Sequence, residues 1–305
     1  MRPQDLLAAI APVAEKLYDR HVGVAKEWFP HEMVPWSRGR DFAPGRAWDE
    51  ADADMGEGVA PLPEAVRLSL YLNLLTEDNL PYYTRDVNWL FTGGGGAYDA
   101  WSRNWTAEEG RHSIVIRDWL TVSRATDLVA LERARMAQVR GAQVPAPEDL
   151  FEGLAYLSMQ ELATRIAHRN TGKLIEDEAG QAIMLRVGND ENLHYLFYRD
   201  LATAALEVAP SEMVIGIERA VRTFAMPGTG IPDFERVARV VAKAGIYDLA
   251  IHHDQILEPV VLRHWKVADL TGLSDDAERA REALLERIAR VGKVARRLAA
   301  ERVPA

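Results

Sequence analysis

The chain has no cysteine in 305 residues. That absence removes disulfide frameworks, thiolate zinc sites, iron–sulfur clusters and cysteine nucleophiles together, so any metal must be held by Asp, Glu or His. Positive charge is also in short supply. The formal net charge is −10, which argues against nucleic-acid binding as a bulk property, because phosphate contacts need a basic footprint. No run of about 18 apolar residues occurs, so no membrane span is read. With no charged-then-apolar leader, the expectation is a cytoplasmic protein. Alternating β-type runs are scarce; apolar residues recur instead at helical spacing between Gly and Pro clusters, which predicts an all-α fold. With 48% hydrophobic residues, a chain of this length can bury one large core, so a single domain over 1–305 is expected.

Helices are predicted at 3–20, 62–88, 97–121, 124–138, 147–169, 174–207, 210–224, 233–244, 246–265 and 275–302. Residues 28–61, rich in Pro, Gly and Asp, read as an irregular N-terminal arm, and GTGIPDF at 228–234 reads as a second break. The run TGGGGAYD from Thr92 to Asp99 lacks a preceding strand and a following Lys-Ser or Lys-Thr, so it reads as a turn rather than a phosphate loop. His252, His253, Asp254 and His264 form a His-rich patch that reads as surface, since adjacent helical residues point to different faces. Arg133, Arg135 and Arg140 read first as a solvated helix face and second as a contact for an acidic partner.

What is present in excess is inward-facing carboxylate. In WTAEEGRHSIVI, Glu109 and His112 fall in line with Trp101, Trp105 and Ile116; in DENLHYLF, Glu191 and His194 fall in line with Met184, Val187, Tyr198 and Leu201. One Glu-x-x-His pair is weak evidence, because a buried Glu–His hydrogen bond explains it equally well. Upstream of each pair, however, lies a helix with a single Glu in its apolar stripe: Glu77 after Val66, Leu70 and Leu74, and Glu161 after Leu150, Leu154 and Leu157. The order Glu, Glu-x-x-His, Glu, Glu-x-x-His on four successive helices is the ligand pattern of dinuclear carboxylate bundles. Four buried carboxylates without compensation would be prohibitive, whereas two divalent ions cancel their charge. A zinc protease site does not fit, since neither pair has the second His of a His-Glu-x-x-His motif. Asp190 can accept the free ring N–H of a ligand histidine. Thr164, one turn after Glu161, can offer a hydroxyl to the site or bond back to its own helix. Met159, Met184, Leu157, Trp105 and Phe197 are apolar residues near the ligands that would serve as channel wall or as ordinary core.

TEDNLPYY, WTAEEGRH, SMQELATRIAHRNTGK, DENLHY and HWKVADLTGLS resemble the soluble acyl-carrier-protein desaturases, the family of the plant stearoyl-carrier-protein desaturase and its actinobacterial relatives. WFPHEMVP from Trp28 to Pro35 resembles the family's N-terminal Trp-x-Pro segment. The resemblance runs from about His21 to the last helix. It implies a ferritin-like di-iron bundle with additional flanking helices, in which Glu77, Glu109, His112, Glu161, Glu191 and His194 bind two irons. It also implies that Thr164 is the oxygen-side hydroxyl and that Trp28, Asp190 and His112 carry electrons from the surface. The implied reaction is the O2-dependent introduction of a cis double bond into a long acyl chain on acyl carrier protein, in fatty acid biosynthesis, with ferredoxin as electron donor and a homodimer as the assembly. The plant members carry a transit peptide that this chain lacks, which fits a bacterial cytosol, and the Gly-rich turn at 93–96 replaces a region where the plant sequences are longer. Two rivals share the scaffold: another oxygen-activating di-iron enzyme, such as an N-oxygenase or hydroxylase, and a non-catalytic ferritin-like iron protein.

Overall fold

A computed structural model describes residues 1–42, 45–226, 228 and 230–301. Ala43 and Pro44 of the expected arm, Thr229 of the expected break and Arg302 of the expected last helix lie outside the described residues. Among the described residues there is no strand. Twelve α-helices among the described residues carry the fold: α1 (Pro3–Val24), α2 (Pro30–Met33), α3 (Glu64–Glu77), α4 (Leu80–Leu90), α5 (Gly96–Val122), α6 (Leu128–Gly141), α7 (Leu150–Lys173), α8 (Glu178–Val208), α9 (Pro210–Thr223), α10 (Phe234–Lys243), α11 (Leu249–His252) and α12 (Asp275–Glu301).

The starts of these helices are written in the chain. Asp127, Asp149, Asp177 and Asp248 each accept a backbone N–H of the first turn they precede, and Pro stands at the first positions of α1, α2, α4 and α9. Asp177 does more than cap α8. It is buried and also accepts from Trp119 Nε1 at 2.9 Å and from Arg38 at 2.7 Å, which ties the N-terminal arm to the bundle.

Two expected helices are divided. The helix predicted over 62–88 breaks after Glu77, where Pro81 has no N–H to return to the Glu77 carbonyl, and restarts at Leu80. The helix predicted over 246–265 is a short α-turn, α11, followed by a π-helical stretch His253–His264 that contains Pro259; its end is marked by the Trp265 N–H donating to the Val260 carbonyl.

The four helices that carry the carboxylates form the centre. α7 and α8, joined by a short link, pack along their lengths, and α3 and α5 close the bundle against them. Around this centre α1 covers α5 and α8, α9 lies on α7, α10 on α3, and α12 on α9. The core forms two clusters along these helices, a first that includes Trp101, Trp105, Leu154, Phe197 and Tyr198 and a second that includes Val66, Leu70, Ile116, Trp119 and Met184. Gly216 lets α9 approach α7 so closely that a Cβ there would sit 2.6 Å from the Phe151 backbone. The arm over 28–61 contains α2 and two 3-10 turns, Trp36–Arg38 and Glu50–Asp52, and it buries Trp28, Val34 and Met55 against α5 and α8.

Two residues of the His-rich patch, His252 and His253, are not surface. His252 is buried against the Phe224 ring, 4.5 Å between centroids, with its Nδ1 2.9 Å from the Tyr247 hydroxyl; His253 is buried beneath Gly292 of α12. The π-helical stretch packs on α7 and α12, which covers two adjacent faces at once, whereas Asp254 and His264 of the same patch are exposed. Arg135 is likewise not merely solvated: it holds Asp78 with two bonds, at 2.7 and 2.9 Å, beside the end of α3.

Candidate metal centre

Glu77 ends α3, Glu109 and His112 sit mid-α5, Glu161 lies mid-α7, and Glu191 and His194 lie mid-α8. All six are buried, and both histidines are completely so. Their ligand atoms form two groups, each within 4.8 Å: Glu77, Glu109, His112 and Glu191, and Glu109, Glu161, Glu191 and His194. Glu109 and Glu191 belong to both. A pair of shared carboxylates flanked by one Glu and one His on each side is what two neighbouring cations need, with two bridging and four terminal residues.

The donor atoms fit such a pair. His112 Nδ1 stands 3.2 Å from Glu109 Oε2 and 3.5 Å from Glu191 Oε1; His194 Nδ1 stands 2.9 Å from Glu109 Oε1 and 3.5 Å from Glu161 Oε2. Yet His112 Nδ1, His194 Nδ1 and Glu161 Oε2 have no hydrogen-bond partner, because they converge on a common centre rather than point at one another. Orphaned buried polar atoms of this kind are costly unless an ion satisfies them.

The electrostatics express the same crowding. Burial alone would lower the pKa of His112, but the Glu109 charge and the nearby Asp190 and Glu191 carboxylates outweigh it and raise it well above the ordinary value. His194 is raised in the same way by Glu108, Glu109 and Glu161. Glu161 is pushed well above the ordinary carboxylate range by burial and by the Glu191 and Glu109 charges. Glu77 is buried too, but the neighbouring His112 and His168 imidazoles win and hold it low.

The outward nitrogen of each histidine meets a carboxylate from the other Glu-x-x-His helix. His112 Nε2 lies 3.5 Å from Asp190 Oδ2, which accepts Trp28 Nε1 at 2.7 Å, so the structure brings Trp28, Asp190 and His112 into one line. Arg186 and Arg111 also face Asp190. Burial would raise the Asp190 pKa, but the His112 imidazole, then His194 and the Trp28 N–H, hold it down to about 2. His194 Nε2 lies 2.9 Å from Glu108 Oε2, which is bonded in turn to His21.

Sequence reasoning missed Glu108, although it precedes Glu109 as Asp190 precedes Glu191. His168 was missed as well: seven residues after Glu161, on the same face of α7, its Nε2 is 3.2 Å from Glu77 Oε1. Thr164 bonds back to its own helix and also reaches one of the six carboxylate and histidine residues. Its hydroxyl is 2.7 Å from Glu191 Oε2 and 3.0 Å from the Glu161 carbonyl.

A cavity of about 40 Å3 lies directly against Glu77, Glu109, Glu161 and Glu191, with Trp105, Leu157 and Tyr156 in its wall. A second, of about 90 Å3 and mostly apolar, shares Thr76 and Thr164 with the first and is walled by Met226, Phe234 and Val241 among others. Of the apolar residues singled out from sequence, Trp105 and Leu157 line the site. Met159, Met184 and Phe197 do not: Phe197 stacks on Trp101 at 3.5 Å, and Met184 packs under Gly172 in the second core cluster.

A family model described as fatty acid desaturase matches residues 2–304. The chain belongs to the fatty acid desaturase family. This desaturase is 37% identical over 289 residues to DesA1 of Mycobacterium tuberculosis, named for the acyl-[acyl-carrier-protein] desaturases, covering 92% of this chain and 83% of that protein. It is 31% identical to a chloroplastic stearoyl-[acyl-carrier-protein] 9-desaturase of Arabidopsis thaliana, over 87% of this chain and 71% of the relative. Among solved structures, DesA2 of M. tuberculosis superposes with a TM-score of 0.71 at 25% identity, over 90% of this chain and 99% of that one. The chain is thus a desaturase-family enzyme with the helical, ferritin-like fold expected from its sequence. No helix among the described residues is long and apolar enough to cross a membrane.

Proposed function

We propose that the chain is a single-domain di-iron desaturase that introduces a cis double bond into a long acyl chain carried on acyl carrier protein. Its electron donor is of the ferredoxin class, its assembly a homodimer and its compartment the bacterial cytosol. The observation that carries the reading is the pair of carboxylate–histidine groups sharing Glu109 and Glu191, set beside an apolar cavity in a chain of this family. Glu77, Glu109, His112, Glu161, Glu191 and His194 would hold two irons. Bound there, iron supplies the reductive activation of O2 that removal of hydrogen from an unactivated methylene requires.

The protein's own groups do the rest. The reaction balances when O2 takes two hydrogens from adjacent methylenes, two electrons from the donor and two protons, leaving two waters and the alkene. The cavities flanking Thr164 would receive only the stretch of the acyl chain nearest the carboxylates, and their apolar walls keep bulk water from the reacting carbons. Thr164, bonded to Glu191, places a hydroxyl at the junction of the two cavities, where it orients groups on the oxygen side of the site. Asp190 and Glu108 fix the ring orientation of His112 and His194 and keep both imidazoles strongly basic towards the centre. Trp28, bonded to Asp190 and packed 6.4 Å from the His112 ring, connects the arm to the site and is the entry for electrons.

The test is mass spectrometry of released acyl chains after incubation of the iron-loaded protein with O2, reduced ferredoxin and carrier-bound chains from myristoyl to lignoceroyl. The expected product has lost two hydrogens and carries a cis double bond. A hydroxylated product, or none from any chain with two irons bound, overturns the reading.

A further inference from the structure

The buried face of α1 runs through Leu6, Ile10, Ala14 and Leu17 at three- and four-residue steps and ends on a polar group, His21. His21 is 3% exposed and reaches a residue 87 positions away: its Nε2 lies 2.9 Å from Glu108 Oε2 and 3.2 Å from Glu108 Oε1. The same Oε2 meets His194 Nε2 at 2.9 Å. An ionised carboxylate only accepts, so both imidazoles donate to it. Donation from Nε2 leaves the lone pair of His194 on Nδ1, which is one of the unpartnered atoms that converge on the centre.

Glu108 has a competing partner. Arg111, one turn further along α5, places a guanidinium nitrogen 3.7 Å from Glu108 Oε1 and 3.8 Å from Asp190 Oδ2, and it donates to the Trp28 carbonyl at 3.4 Å. Without a donor from α1, the Glu108 side chain is free to turn to this cation and leave His194. The imidazole at position 21 opposes that turn, because it holds both Glu108 oxygens. Its own ring is fixed in place: the Trp101 ring meets it edge-on at 5.0 Å and the His194 ring stacks on it at 5.9 Å. The short stretch from His21 to Trp28 thus supplies a partner to each outer carboxylate, His21 to Glu108 and Trp28 to Asp190.

We infer that His21 is a positioning residue: by holding Glu108 it fixes the tautomer and ring orientation of His194, and so governs retention of the ion on the Glu161 side of the centre but not of its neighbour. The inference rests on the proposed dinuclear centre and adds to its support a residue from outside the four central helices. α1 is thereby part of the site, not only a cover over α5 and α8.

The test is anaerobic titration of the metal-free full chain with ferrous iron, followed by chelator competition with metal analysis and by near-infrared circular dichroism of the bound ferrous ions. His21→Phe keeps a ring against Trp101 and removes the donor. One iron of the two is expected to be retained about tenfold or more weakly, with the other unchanged. His21→Gln, which returns an amide donor at the reach of Nε2, should restore most of that retention. The double variant with Glu108→Gln should be no worse than Glu108→Gln alone, because both changes act through one contact. Leu17→Ala, one turn earlier on the same buried face, loosens the packing of α1; it should lower the thermal midpoint without separating the two irons. If His21→Phe does not fold, His21→Leu takes its place in the same cycle. Equal loss of both irons, loss of neither, additive losses in the double variant, or the same separation from Leu17→Ala overturns the inference. With two irons bound by wild type, any of those results leaves the proposed centre standing, whereas wild type that binds no iron overturns both.

Discussion

Trp28 Nε1 donates to Asp190 Oδ2 at 2.7 Å across 162 positions of sequence, and the same carboxyl oxygen lies 3.5 Å from His112 Nε2. A residue of the N-terminal arm is thereby one hydrogen-bonded carboxylate away from the proposed centre.

Trp28→Phe keeps the ring between Arg111 and Arg186, whose guanidinium carbons lie 5.1 and 5.8 Å from it, and removes only the donor. Iron content should be unchanged. Reduction of the loaded site by ferredoxin, followed by stopped-flow absorbance, should slow by about tenfold or more. An unchanged reduction rate would remove Trp28 from the route.

Asp190→Asn and Glu108→Gln are matched probes of the two histidines. Each takes one charge from the outward nitrogen of a buried imidazole, and each should weaken retention of one iron by about 10–100-fold while leaving the other nearly untouched. Competitive titration with a chelator, read by metal analysis, would show two iron stoichiometries separating. Symmetric loss in both variants would mean that the outer carboxylates act on the cluster as a whole.

Metal binding should release protons. In the metal-free site His112, His194 and Glu161 all hold protons more tightly than usual, so cations must displace those protons, and affinity should rise with pH. At ferrous iron near 100 times the dissociation constant, stabilisation of about 2.7 kcal/mol follows by mass action. Calorimetric melts with and without iron at several pH values measure both quantities. A pH-independent gain would contradict the protonation pattern.

His252 supplies a second, separate pH effect. Burial and the neighbouring His253 depress its pKa from 6.5 to about 4. The unfolded chain therefore takes up the proton first as pH falls. Stability should decline through the window from 6.5 down to about 4 and level off below it, by up to about 3 kcal/mol. His252→Asn keeps an acceptor for the Tyr247 hydroxyl and removes the titration. The gap in thermal midpoint between wild type and this variant should narrow as pH falls from about 7 to about 4.5, and a constant gap would refute the assignment.

The fold class and the six proposed ligands were legible because each depends on a short-range pattern. Helical periodicity puts Glu77, Glu109, His112, Glu161, Glu191 and His194 on inward stripes, and aspartate caps and first-turn prolines mark the helix starts. Pro81 and Pro259 were visible too, but their effect depends on competition. One ended α3 at Glu77, and the other was absorbed in a π-helical stretch that packs against α7 and α12. Glu108 and His168 were readable only in hindsight, since a carboxylate beside a ligand and a histidine seven residues on acquire meaning when the facing helix is known.

By itself the sequence determined the helical class, the carboxylate count, the absence of any cysteine chemistry and the family. Each is set by residue type and by spacing along one helix. The tertiary structure alone decided which histidine meets which outer carboxylate, that His252 and His253 are core, and that Met184 and Phe197 stand away from the cavities. Those relationships join residues tens to hundreds of positions apart. Packing between helices fixes them, and no periodicity within a single helix encodes which face its neighbour will cover.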